Sequence, residues 1–128
     1  MLTETSALQH EKAHRVLNIF KNSVPYVDAC AAVSRDGLII ASVLSEGVDV
    51  DRFGAMCASL QALSNRAALE VGRGALRQVI LDGDLGPILL TQAGALGVLA
   101  VVAGEGSTLG KAILDARRVA AELADLAV

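Results

Sequence analysis

The chain has 128 residues, enough for one domain that buries about two-thirds of its unfolded surface. Hydrophobic residues make up 53% and charged residues 20%, which excludes a disordered chain. A net charge of −3 gives no electrostatic reason to expect nucleic acid or an anionic membrane surface as a partner, and Phe20, Tyr26 and Phe53 are too few aromatics for base-stacking platforms.

The first helix is expected from about Glu4 to Lys21, with Ala13, Val16, Leu17 and Phe20 at helical spacing. Pro25 disfavours its continuation through Val24. The opening residues 1–6 lack a basic region followed by an apolar core, so no signal peptide is read there and a cytoplasmic location is expected. Strands at 26–34 and 37–43 flank Arg35-Asp36-Gly37, where Gly supplies the positive φ that tight hairpin turns demand. Cys30 and Cys57 lie far apart in different elements and read as reduced core residues, not a disulfide framework.

Residues 46–51 form a link in which Asp49 or Asp51 can cap a second helix. That helix runs to about Val71, where Gly72 is placed to end it. A third strand at 75–82, a turn at 82–86, strands at 88–92 and 96–103, and a last helix capped by Ser107 complete the chain. Leu109, Ile113, Ala116, Ala120 and Leu123 fall on one side of the last helix. The uncharged stretch from Leu85 to Gly104 is long enough to cross a bilayer, but Gln92-Ala-Gly-Ala95 splits it into a buried antiparallel hairpin. The order is αββαβββα in a single domain spanning 1–128.

The second helix carries more apolar surface than one sheet needs. Phe53, Met56, Leu60, Leu63 and Ala67 are spaced 3, 4, 3 and 4, the seam of a helix–helix contact, and Ala55, Ala58 and Ala62 add a strip beside it. The surplus argues for a second chain. The third strand's Val79-Ile80-Leu81 is apolar on both faces and would be a hazardous free edge. Val79 and Leu81 therefore join the helix seam as expected dimer-interface residues. A polar stripe of Arg52, Ser59, Arg66 and Arg73, each seven residues apart, is read as a face distinct from that seam and as a partner-binding surface.

Two motifs imitate chemistry. His10-Glu11-Lys12-Ala13-His14 matches a zinc-protease pattern, but these are the two histidines of the chain and no third-ligand motif accompanies them. Gly104-Glu-Gly-Ser-Thr-Leu-Gly-Lys111 stands where a phosphate loop would, yet its spacing fails and Glu105 would repel a phosphate. No local nucleophile–base signature is visible. The expectation is a non-enzyme without metal or cofactor.

With this element order, Val33-Ser-Arg-Asp-Gly-Leu38 followed by Ala41-Ser42, the helix closing in Gly72-Arg-Gly74, and Val98-Leu-Ala-Val101 leading to Leu109-Gly110, the chain resembles the roadblock family over residues 8–126. That family is named for a dynein light chain and also occurs in bacteria and archaea. Val24-Pro25-Tyr26 departs from the Gly-Val that often precedes the first strand. The resemblance implies an α+β fold: a five-stranded antiparallel sheet, with the first and last helices on one face and the second on the other. It also implies dimerisation through the second helix and third strand. Bacterial members often partner small Ras-like GTPases, and the gliding-motility member activates its GTPase without supplying a catalytic arginine. The resulting expectation is a homodimeric, non-catalytic regulator or platform for a small GTPase, or alternatively a structural adaptor in a motor or signalling complex.

Overall fold

The computed structural model describes residues 4–127. Helix α1 (Glu4–Ser23) leads to β1 (Val27–Val33), β2 (Ile39–Val43), α2 (Val50–Glu70), β3 (Gln78–Gly83), β4 (Gly86–Gln92), β5 (Val98–Ala103) and α3 (Leu109–Asp125). A 3-10 turn at Gly94–Leu96 joins β4 to β5. The strands form one sheet in the order β2-β1-β5-β4-β3, antiparallel throughout. This is the expected αββαβββα order, and 85–104 is the expected buried hairpin. No helix among the described residues is long and apolar enough to cross a membrane.

The period-2 alternation of strands divides the core in two. Cys30 and Ala32 of β1, with Leu89, Leu99 and Val101, meet Ala13, Leu17 and Phe20 of α1 and Ala116, Val119 and Leu123 of α3. Ala31 and Val33, with Leu90, Val98 and Ala100, face Cys57 of α2. Helices α1 and α3 therefore cover one face of the sheet and α2 the other. The central strands read as continuous apolar runs because both faces are covered.

The first hairpin closes through Ser34, whose carbonyl accepts from Gly37 N at 3.0 Å and whose Oγ accepts from Leu38 N at 3.1 Å. Gly37 has φ of 86°. A four-residue turn plus a left-handed glycine is a bulged hairpin, so β2 begins at Ile39 rather than at 37. Asp49 caps α2, accepting from Arg52 N at 3.0 Å. At the other end Arg73 N bonds Ala68 O and Gly72 N bonds Leu69 O, a Schellman closure that needs the 71° φ of Gly72.

Other expected boundaries move as well, the fifth strand starting at Val98 rather than 96. The third strand starts at Gln78, not 75, because the preceding residues are used in leaving α2: Asn65 Oδ1 accepts from Leu76 N at 2.9 Å. The fourth starts at Gly86 because Pro87 lacks an N–H where the ladder has only β3 as partner; pairing with β5 begins at Ile88. The last helix is not capped by Ser107. Residues 104–107 close a tight turn, Ser107 N to Gly104 O, which puts Thr108 at the cap position and leaves Ser107 Oγ without a partner.

Candidate functional site

Helix α2 has 21 residues, yet only Gly54 and Cys57 are fully buried. The shorter α3 buries five. The 3-4 seam of α2 is shared between two sides. Phe53 and Leu60 are half-buried against the protein's own sheet, beside Val79 and Ile88. Met56 and Leu63 point outward, 51% and 65% exposed, and Ala67 is exposed with them. Leu69 and Val71 are also exposed near the Schellman turn, but at about 100° per residue Leu69 falls well away from Met56 and Leu63 around the helix. Leu69 and Val71 lie outside the 3-4 spacing, so periodicity missed them; their place just before Gly72 was the available signal.

Strand β3 is the end strand of the sheet next to β4. Val79 and Leu81 are half-buried on the α2 side, and Ile80 is exposed on the α3 side. Apolar side chains thus flank a backbone edge that the described chain leaves unpaired.

The polar stripe does not occupy a separate face. Arg52, Ala55, Met56, Ser59, Leu60 and Leu63 line one shallow groove of about 490 Å³. The reason is angular: at about 100° per residue, Arg52, Met56, Ser59 and Leu63 fall within one narrow sector of the helix. Arg66 continues along it, exposed, while Arg73 lies beyond the helix in its closing turn. Arg52 Nη2 lies 3.7 Å from Asp49 Oδ2, both side chains being largely exposed, so the pair is screened and leaves the guanidinium accessible.

The look-alike motifs stay apart from this surface. His14 Nδ1 lies 2.9 Å from Asn18 Nδ2 on α1, and Ala13 between the histidines is buried in the core. Among the described residues no group of three or more His, Cys, Asp or Glu is gathered. Lys111 Nζ, the lysine of the loop resembling a phosphate site, is 3.2 Å from Asp115 Oδ2. Both cysteines are free and buried, and burial pushes each thiol up to about 11.

A five-stranded antiparallel sheet with two helices on one face and a single, thinly anchored helix on the other makes this an α+β domain. The Roadblock/LC7 domain family model matches residues 20–103, more than half of the chain, and the chain belongs to that family. An uncharacterised protein of Methanocaldococcus jannaschii, MJ1340, is 32% identical over 102 residues, covering 80% of this chain and 89% of that protein. Among solved structures, MglB with a tetrameric arrangement superposes with a TM-score of 0.83 at 21% identity, over 98% of this chain and 92% of that one. The gliding protein MglB from Thermus thermophilus gives 0.80 at 19% identity, over 98% and 93%.

Proposed function

We propose that this protein is a homodimeric, non-catalytic regulatory platform for a small Ras-like GTPase. The observation that carries the reading is the outward apolar surface of α2, Met56 and Leu63 above all, beside the unpaired β3 edge. Two copies related by a two-fold axis cover that surface with each other's α2 and extend the sheet through β3. The interface then comprises Met56, Leu63 and Ala67, the outer rims of Phe53 and Leu60, and Val79 and Leu81. The GTPase meets the α2 side at Arg52, Ser59, Arg66 and Arg73, whose guanidiniums suit an acidic partner surface. Membership of the roadblock family and the likeness to MglB support this reading.

Light scattering at low micromolar concentration should give about twice 13.2 kDa. A monomer at that concentration rejects the dimer. Capture of a GTPase on the immobilised protein, followed by GTP turnover with and without it, tests the partner. Stable capture with unchanged turnover would favour the adaptor reading instead.

A further inference from the structure

The face of the sheet away from α2 carries a second groove, of about 410 Å³, between α3 and the β3–β4 corner. Arg117, Ala120, Ala121 and Ala124 line it from α3, recurring at i, i+3, i+4 and i+7 and so sharing one helix face. Arg77 lines it from the residue before β3, and Thr91 of β4 lies at its base. No lining residue is acidic. Among the described residues neither guanidinium forms an ion pair, whereas Arg52 and Arg118 both do.

Thr91 supplies a second, independent observation. It is the buried polar residue of the described core, 4% exposed, and its Oγ1 has no hydrogen-bond partner. Gln78, directly across on β3, also leaves Oε1 unpaired. A buried hydroxyl with no protein partner is destabilising unless a water or a ligand satisfies it. As it stands Oγ1 is itself closed off from solvent, so donating to a ligand in the groove requires a change of χ1.

We propose that this groove docks an acidic peptide segment of a partner protein, clamping an Asp or Glu carboxylate between Arg77 and Arg117, with a hydrogen bond donated by Thr91 Oγ1. Paired guanidiniums hold a carboxylate through charge-assisted bonds. The alanine face of α3 lets a peptide backbone approach closely. The carboxylate sits toward Arg117 rather than Ala124, because the carbonyl end of α3 disfavours an anion and Asp125 lies just beyond. Since the groove opens on the α3 side, it is distinct from the α2 surface, and the docking does not depend on the GTPase reading.

The test titrates the full ¹⁵N-labelled chain with blocked hexaglutamate, using hexaglutamine and inorganic phosphate as separate arms. Amide shifts are expected at Arg77, Thr91, Arg117 and Ala121 with hexaglutamate and not with hexaglutamine, and they should weaken as salt is raised. Arg77→Gln with Arg117→Gln, both surface changes, should weaken binding about tenfold or more at an unchanged melting temperature. Thr91→Val should raise the melting temperature, by removing the unpaired hydroxyl, and still weaken hexaglutamate binding. The proposal is overturned if the groove amides do not move, if binding survives the double variant, or if Thr91→Val leaves binding intact. Shifts centred on Arg52 and Arg66, or a response to phosphate alone, overturn it equally.

Discussion

The Tyr26 hydroxyl donates a 2.6 Å hydrogen bond to Asp115 Oδ2, pinning the entry to β1 against α3. Lys111 Nζ reaches the same oxygen at 3.2 Å, and Arg118 Nη2 lies 3.9 Å from Oδ1. The Asp115 side chain is 17% exposed. The Tyr26 hydrogen bond, followed by Lys111 and Arg118, holds its carboxyl below the ordinary 3.8, with burial opposing. Burial, then the bond and charge of Asp115, pushes the Tyr26 phenol up, so it stays a donor at neutral pH.

Tyr26→Phe should therefore cost about 1–2 kcal/mol at pH 7, the range for a hydrogen bond to a charged acceptor at a partly exposed site. The pH dependence has a definite sign. A carboxyl depressed in the folded state contributes stability above its unfolded value of 3.8 and loses it as pH falls through the folded value. The melting-temperature gap between wild type and Tyr26→Phe should thus narrow below pH 3.8. A gap that stays constant from pH 7 into acid contradicts the linkage.

Two helical glycines should respond to alanine with opposite signs. A Cβ on Gly54 would stand 2.9 Å from Gly37 O and 2.9 Å from Ile39 Cδ1, where α2 crosses the first hairpin. Gly54→Ala should destabilise by about 1 kcal/mol or more despite its better helix propensity, because backbone must shift. Gly110, in the first turn of α3, has open space around it, and Gly110→Ala should stabilise by about 0.5 kcal/mol. Urea midpoints on the two variants decide the matter.

The element order was legible because apolar runs of Val, Ala and Leu were cut by strong punctuation at Asp36-Gly37, Gly72 and residues 82–86. The central strands could be placed without an alternation, since residues such as Ala31 and Ala32 are buried on opposite faces. What failed depended on hydrogen bonds made by backbone N–H groups, to a side chain in one case and to a carbonyl in the other, that apolar spacing does not report. The Asn65–Leu76 bond delays β3, and the turn at 104–107 displaces Ser107 from its cap. The surplus on α2 was visible, but its division was not: Phe53 and Leu60 turn to the sheet while Met56 and Leu63 turn out. Tyr26–Asp115 and the Arg77–Thr91–Arg117 groove join segments far apart in sequence, and no local pattern announces either.

That division sharpens the test of dimerisation. Leu60 packs against the protein's own core, so Leu60→Asp would unfold the chain as readily as it would split a dimer. Leu63→Glu places the charge on a side chain already 65% exposed. It should halve the mass by light scattering while leaving the far-ultraviolet circular dichroism unchanged. A dimer that tolerates both Leu63→Glu and Met56→Glu does not use this surface.

The thiols should be silent in the folded protein. Cys30 and Cys57 are buried, and desolvation pushes each up to about 11, with Lys21 pulling Cys30 slightly the other way. At pH 8 the folded chain should react with a thiol reagent only as fast as it opens, and two equivalents should appear promptly in denaturant. A raised thiol stabilises the fold below its unfolded value and loses that contribution as pH rises toward 11, so stability should decline across this alkaline window.

The last prediction concerns the arginines of α2. Arg52 and Ser59 line the same groove as Met56 and Leu63, so in the proposed dimer they stand at the rim of the two-fold contact. Arg66 lies further along the exposed side of the helix, and Arg73 projects from the closing turn, where its backbone N–H is already bound to Ala68 O. Reversing both charges therefore leaves caps and core untouched. Arg66→Glu with Arg73→Glu should stay dimeric and keep its melting temperature. It should bind the GTPase captured by the wild type about tenfold or more weakly at low salt, the loss shrinking as salt screens the contact. Arg15→Glu on α1, exposed on the opposite side of the sheet, is the control and should bind normally. If the double variant binds with unchanged affinity at low salt, the α2 stripe serves solubility and the GTPase docks elsewhere.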